Sequence, residues 1–209
     1  MTPIEHRWLG RIAYPEALAL QDALVQARAT GEQPRDLLLQ LEHEPVYTIG
    51  RTLDQSSLRD AARLPHPVVQ INRGGQATYH GPGQLVGYPI LDLKPRGNDL
   101  HRYLRALEQV LIDVLAEWDI AAGRRDGLTG VWVAERKIAS IGVGVRRWIS
   151  MHGFALNVCG DLAPFSEITP CGIAGVEMTS VEREAGRLVT VEAIANTVTA
   201  AFDRHFTLP

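Results

Sequence analysis

Lysine is almost missing from this chain. Of its 21 basic residues only Lys94 and Lys137 are lysine, and the other 19 are arginine. Arginine stays charged, whereas lysine gives up its proton where its surroundings favour the neutral form. A lysine kept against such a bias marks a position where arginine is no substitute. Cysteine is equally scarce. Cys159 and Cys171 stand 12 residues apart with no C-x-x-C spacing, which argues against a zinc site or a redox pair. No apolar run approaches the roughly 18 residues that a membrane span needs. The segment from Met1 to Trp8 has neither a signal core nor a transit pattern. A formal net charge of −3 supplies no basic balance for nucleic acid. These absences predict a reduced, soluble, cytoplasmic protein that binds no metal, no membrane and no nucleic acid.

What is present is ordinary in bulk and unusual in one place. With 209 residues, 45% hydrophobic and 22% charged, residues 1–209 read as a single domain with a sizeable core. The unusual place is Arg73 to Gln84, Arg-Gly-Gly-Gln-Ala-Thr-Tyr-His-Gly-Pro-Gly-Gln. Its four glycines let the backbone come close to a ligand, and Gly81-Pro82-Gly83 reads as a fixed turn. Arg73, Gln76, Thr78, Tyr79, His80 and Gln84 are threaded between them. Neither phosphate-cradling pattern occurs, and the run that follows is strand-like, so no helix N-terminus waits for an anion. A wall lining a substrate fits better than an ordinary connecting loop.

Periodicity supplies the frame. Pro15 to Thr30 reads as a helix stopped by Gly31, with Ala17, Leu20, Leu24 and Ala27 on its buried face. Asp36 to Leu41, Val46 to Ile49, residues 67–72 and Leu85 to Leu91 read as strands or apolar runs, with residues 52–66 as loop. Asn98 reads as the N-cap of a long amphipathic helix whose stripe runs from Leu100 through Leu104, Leu107, Leu111, Val114 and Leu115 to Trp118. Val131 to Val133 and Lys137 to Val145 form a hairpin, and Ser150 to Val158 a further strand. Pro164 to Ala174 is loop. Thr179 to Glu182 resembles a capping box, and Thr190 caps a last helix with Val191, Ile194, Val198, Ala201 and Phe202 inward. Several strand connections are too short for parallel crossovers, which predicts an α+β fold: a mixed, largely antiparallel sheet with packed helices.

Two residues stand out for chemistry. Cys171 sits in a loop between Pro170 and Gly172, where the sulfur is accessible and backbone N–H groups are free to meet a reacting oxygen. Lys137 opens a strand in which Gly142 and Gly144 leave room above the sheet. The plain alternatives are an inert loop cysteine and a strand-end lysine reaching for solvent. Were the two to meet at about 4 Å, an effective dielectric of about 20 gives roughly 4 kcal/mol, or about three pKa units, toward the thiolate. Desolvation takes back part of that. His43, His80 and His152 offer the rival Cys–His pairing of hydrolases, and the residues alone leave the choice open. Their spacing makes a poor metal site.

The run from Arg73 to Pro89 resembles the signature of the octanoyltransferase family of lipoate biosynthesis, the lipoyl(octanoyl) transferases. Glu42 to Arg51, Gly130 to Val133, Lys137 to Gly142, His152 to Asn157 and Thr169 to Ile173 are similar to that family's other segments, in the same order. The resemblance implies the fold of biotin and lipoate protein ligases. It implies transfer of an octanoyl group from octanoyl-acyl carrier protein to a lysine of lipoyl domains, in 2-oxoacid dehydrogenase complexes and the glycine cleavage H protein. By position, Cys171 would be the acyl-thioester nucleophile and Lys137 the group that lowers its pKa and shuttles protons. Arg73, Gly74, Gly75, Gln76, Ala77, Thr78, Tyr79 and His80, with Ser140, Ile141, Gly142, Gly153, Phe154 and Ala155, would line the acyl site. A thioester donor needs no nucleotide, so no cofactor is expected, and the enzyme is expected to act as a monomer. Arg124-Arg125 or Arg146-Arg147 would dock the acidic carrier by charge complementarity.

Overall fold

The computed structural model describes residues 3–208. Chain order begins with β1 (Glu5–Ile12), α1 (Tyr14–Thr30) and β2 (Leu37–His43), followed by β3 (Val46–Ile49), β4 (Val68–Gln70), β5 (Thr78–His80) and β6 (Gln84–Ile90). Then come α2 (Leu100–Ala116), β7 (Val131–Val133), β8 (Arg136–Arg146), β9 (Ile149–Asn157), β10 (Glu177–Met178), α3 (Val181–Ala185) and α4 (Val191–Phe206).

The main sheet runs β1-β2-β6-β9-β8-β10, with β7 also paired to β8. Its inner pairs β2·β6, β6·β9 and β8·β9 are antiparallel, and β1·β2 and β8·β10 are parallel. The expected α+β class, mixed and largely antiparallel, is what the chain adopts. β1 went unassigned in the sequence reading. It is a charged edge strand, Glu-His-Arg-Trp-Leu-Gly-Arg-Ile, whose residues stay half-buried or exposed, so it carries no apolar alternation to detect.

Strand β2 shows why the middle of the sheet is buried on both faces. Its side chains alternate between two covered faces. Leu37, Leu39 and Leu41 meet α1, while Leu38 joins the cluster under α2 and α4. Gln40, on the second face, donates its Nε2–H to Thr199 Oγ1 of α4 at 2.8 Å. Each fully buried leucine on this stripe contributes about 1.5–3 kcal/mol of transfer free energy. Helix α1 buries Tyr14, Ala17, Gln21 and Val25 rather than the expected face centred on Leu20 and Leu24, which are only half-buried. The polar Gln21 hid that stripe.

Two caps also move. Asn98 adopts φ 53, and Asp99 takes the N-cap instead, its carboxylate accepting the Arg102 N–H. Ser180, not Thr179, caps α3 by accepting the Arg183 N–H, and Thr179 Oγ1 turns to Glu184. Thr190 caps α4 as expected.

The smaller sheet, β4-β3-β5, stands beside the main one. Part of the glycine-rich run is therefore strand: Thr78–His80 pairs with β3. The Gly81–Gln84 turn closes with Gln84 N–H donating to Gly81 at 3.2 Å, and Gly83 sits at φ 81, where a side chain would be strained. Tyr47, Ile49, Leu58, Ala77, Tyr79, Phe165 and Ile168 form this sheet's own apolar cluster. That cluster supports the segment carrying Cys171. Among the described residues, no helix is long and apolar enough to cross a membrane.

Candidate active site

Lys137 and Cys171, 34 residues apart, meet with Nζ 3.1 Å from Sγ. Lys137 reaches this point from the start of β8 and is only 1% exposed. Its path exists because residue 130 is glycine: a Cβ there would lie 2.8 Å from Lys137 Cε and 2.6 Å from the Ala139 carbonyl. The Gly130 N–H is held by the buried carboxylate of Glu108, which also pairs with Arg105 and Arg124. The ammonium lies 5.4 Å from the Trp132 ring centroid, an attraction that helps it tolerate burial.

Cys171 sits at φ 55, ψ 18 in a tight turn, a conformation that costs a non-glycine residue on the order of 1–3 kcal/mol. The turn is held by Cys171 N–H to the Ala77 carbonyl at 2.8 Å, Gly172 N–H to Thr169 and Ile173 N–H to Pro170. These N–H groups are therefore engaged, contrary to the expectation that they stand free to meet a reacting oxygen. Burial alone pushes the Cys171 thiol up. The Lys137 ammonium, through charge and hydrogen bond, outweighs it, with help from Ser140 Oγ at 3.6 Å and the Arg73 charge. The net shift is downward, toward thiolate.

Arg73 is a buried cation, 7% exposed, whose guanidinium donates only to neutral acceptors: the carbonyls of Gly74, Gln76 and Thr48 and the Thr48 hydroxyl. Its side chain also fills the space over Gly142, where a Cβ would lie 2.9 Å from Arg73 Cδ, and the Asn72 carbonyl closes in over Gly144. The room expected above β8 is thus taken by the glycine-rich segment itself.

Around Lys137 and Cys171 lies a cavity of about 230 Å³. Of the residues expected to line it, Arg73, Gly75, Gln76, Thr78, His80, Ser140, Ile141, Gly142, Gly153, Phe154 and Ala155 do so. Gly74, Ala77 and Tyr79 do not. Ala77 and Tyr79 alternate to the far side of the strand, into the cluster of the smaller sheet. Tyr14, Tyr88, Leu128, Thr129, His152 and Ile173 also line the cavity. Tyr14 lies just before the helix expected from Pro15, Tyr88 lies inside the apolar run Leu85 to Leu91, and no local signal distinguishes Leu128.

The cavity has a mouth and a floor. Gly75, Gly127 and Thr129 at its rim are exposed, whereas Tyr14, His80, Tyr88 and His152 are at least nine-tenths buried. His43 Nδ1 donates to the Ile12 carbonyl, so its Nε2 accepts from Tyr88 Oη at 2.7 Å. His80 Nδ1 donates to Gln84 Oε1 at 2.8 Å, and its Nε2 faces Thr48 Oγ1 at 3.3 Å. Gln84 continues to Asn157 and Asn157 to the Thr179 carbonyl, so a buried polar chain runs behind the site from Arg73 to the residue after β10. Burial lowers His43 to about 4, His80 to about 3 and His152 to about 4, the last two aided by the Arg73 charge. Among the described residues no imidazole hydrogen-bonds the sulfur, so the rival Cys–His pairing does not form. Of the arginine pairs, Arg124 is bound to the buried Glu108 and Arg125 to the exposed Glu135. Arg146 and Arg147 are exposed at the β8–β9 hairpin tip, with Arg146 3.4 Å from Asp22.

The family model described as the lipoyl protein ligase A/B catalytic domain matches residues 13–203. A Geobacter sulfurreducens protein named octanoyltransferase is 58% identical over 194 residues, covering 93% of this chain and 81% of its own. One of the same name from Geobacter metallireducens is 52% identical, covering 94% and 90%. Among solved structures, a bipartite lipoate protein ligase from Thermoplasma acidophilum superposes with a TM-score of 0.74 at 16% identity, over 100% of this chain and 86% of that one. A biotin protein ligase from Aquifex aeolicus gives 0.58 at 12% identity, over 98% and 69%. These structural likenesses concern the fold.

Proposed function

Because the chain belongs to the lipoyl protein ligase A/B catalytic domain family, and its relatives at 46–58% identity carry the name octanoyltransferase, we propose that it transfers octanoyl groups by way of a thioester on Cys171. The observation that carries this reading is the 3.1 Å approach of a buried ammonium to a sulfur at the wall of a cavity open at one end.

In the proposed first half-reaction the Cys171 thiolate attacks the carbonyl carbon of octanoyl-acyl carrier protein. The C–S bond to the carrier breaks, a C–S bond to Cys171 forms, and the carrier leaves as a thiol after taking a proton from the Lys137 ammonium. In the second, the ε-amine of a lysine on a lipoyl domain attacks the acyl-enzyme. Lys137, now neutral, accepts the proton released from that amine, the amide forms and Cys171 leaves as thiolate. A thioester becomes an amide, downhill without a nucleotide. Only a side chain able to exchange a proton serves both halves, which accounts for lysine rather than arginine at 137. The Arg73 cation and the Ser140 hydroxyl favour the thiolate before attack.

Intact-mass analysis after incubation with octanoyl-carrier protein tests this. The wild type is expected to gain one octanoyl group, and Cys171→Ser to gain none on the same timescale, with turnover at least a thousandfold lower. Formation of an acyl-adenylate from free octanoate and ATP would count instead for a ligase.

A further inference from the structure

The floor of the cavity contains a histidine whose ring is poorly satisfied. His152 is 1% exposed, and neither ring nitrogen makes a hydrogen bond of good geometry, with only the Asn72 backbone near enough to favour a proton on the ring, whereas both nitrogens of His43 and His80 face a partner. It also breaks its own strand: φ is 56 in the middle of β9, outside the extended range, and its N–H is held by the buried Gln21 Oε1 at 2.8 Å. A strained backbone, a polar clamp from another element and an unused imidazole at a cavity wall converge on one residue.

We propose that His152 is a specificity-determining stop at the bottom of the acyl channel, measuring the chain carried on Cys171; this rests on the reading of Cys171 as the acyl carrier. Position supports it first. Ser140, in contact with the sulfur, lies three residues along β8 from Val143, the register partner of His152. At about 3.3 Å per residue that separation is about 10 Å, the reach of an extended eight-carbon acyl chain. Chemistry supports it second. Beside β9 the cavity meets the Ala155 side chain and Gly153, which suit methylenes, while Ile141 and Phe154 border it from the cluster under α2 and α4. At the floor the poorly satisfied imidazole with Tyr88 beside it, ring centroids 6.5 Å apart, takes the place of these groups. A chain that ends short of the ring leaves room for water on its nitrogens. A longer chain must expel that water and press carbon against an unsatisfied polar atom. The cut-off is therefore set by polarity as well as length. Burial and the arginine charges keep the ring neutral, so no charge complicates the contact.

The test compares kcat/KM for carrier-bound acyl groups of four to twelve carbons in wild type, His152→Gly and His152→Asn. Glycine relieves the positive φ and empties the floor, and asparagine tolerates that φ while keeping a polar group. Burial of each added methylene is worth about fourfold. Wild type is expected to climb about fifteenfold per two carbons up to eight and to fall at ten. His152→Gly is expected to reverse that fall, with ten carbons surpassing eight and the four-to-six ratio unchanged, while His152→Asn keeps eight ahead of ten. A ten-to-eight ratio in His152→Gly equal to that of wild type overturns the proposal, as does a loss uniform across all lengths. Should His152→Gly not fold, wild type labelled with [13C]histidine decides. The His152 Cε1–H signal, assigned by its loss in His152→Asn, is expected to shift on acylation with eight carbons and not with four; equal shifts overturn it. Absence of any thioester on Cys171 with every donor would overturn the parent reading instead.

Discussion

Between α2 and α4 the interior is hydrocarbon meeting hydrocarbon. Leu107, Val110, Leu111 and Val114 pack with Ile194, Val198, Ala201 and Phe202, and both helices begin at residues whose side chains cap them. Around the cavity, the same degree of burial is applied to a lysine, an arginine and three histidines. Two positive-φ residues there, Cys171 and His152, carry backbone strain as well. The first region gains stability from every buried group. The second needs hydrogen bonds and neutralised rings merely to offset desolvation. The polar chain from Arg73 through Thr48, His80 and Gln84 to Asn157 supplies much of that. Substitutions in the two regions should therefore separate stability from activity.

Lys137→Met is the sharpest way to test the division. Without the ammonium, burial pushes the Cys171 thiol up with only Ser140 and the Arg73 charge left to oppose it. Thiolate fraction grows with pH, so acylation should shift to alkaline pH and fall a hundredfold or more near neutrality. Thermal stability should hold, because a desolvated charge is removed along with its partner's need for one. A pH–rate profile unmoved from wild type would break the comparison from the site's side. Phe202→Ala should do the converse. A fully buried ring in the helical cluster is lost, at about 3–5 kcal/mol of stability by denaturant melts, with kcat/KM per folded molecule retained.

Acid should weaken the cavity region. His43 and His152 are lowered from 6.5 to about 4 and His80 to about 3. Between those values and 6.5 the unfolded chain binds protons that the folded one refuses. Their contribution is thus whole above pH 6.5 and lost as pH falls through 4 to 3. By pH 5 the loss is on the order of 2 kcal/mol per histidine. Equal urea midpoints at pH 7 and pH 5 would contradict the picture of three neutral, desolvated rings. The smallest effect is expected from Thr190→Ala, which removes the hydroxyl that accepts the Ala193 N–H. It should cost about 1 kcal/mol and leave acyl transfer untouched, as read by melting temperature and mass assay together.

Much of the frame was legible because hydrophobic periodicity is a local property. The stripes of α2 and α4, the β7–β8 hairpin and the Gly81–Gln84 turn could be read from spacing alone. The failures are as local. β1 is an edge strand without alternation, α1 hides its buried Gln21 among apolar neighbours, and Asn98 and Asp99 compete as adjacent caps. At the site, scarcity singled out Lys137, and the setting of Cys171 between proline and glycine marked the sulfur. Tyr14, Tyr88 and Leu128 gave no sign, since their part depends on which side of a strand or loop faces an empty space.

The amino-acid order by itself determined the class of fold and the positions of most helices and strands, and singled out Lys137 and Cys171 as candidates for chemistry. It did so because propensity, capping and alternation act over a few residues. Only the tertiary structure decided that the lysine rather than a histidine meets the sulfur, that the turn's N–H groups are already engaged, and that a buried imidazole lines the cavity. Those are distances between segments far apart in the chain, set by sheet register and packing, and no local pattern encodes them.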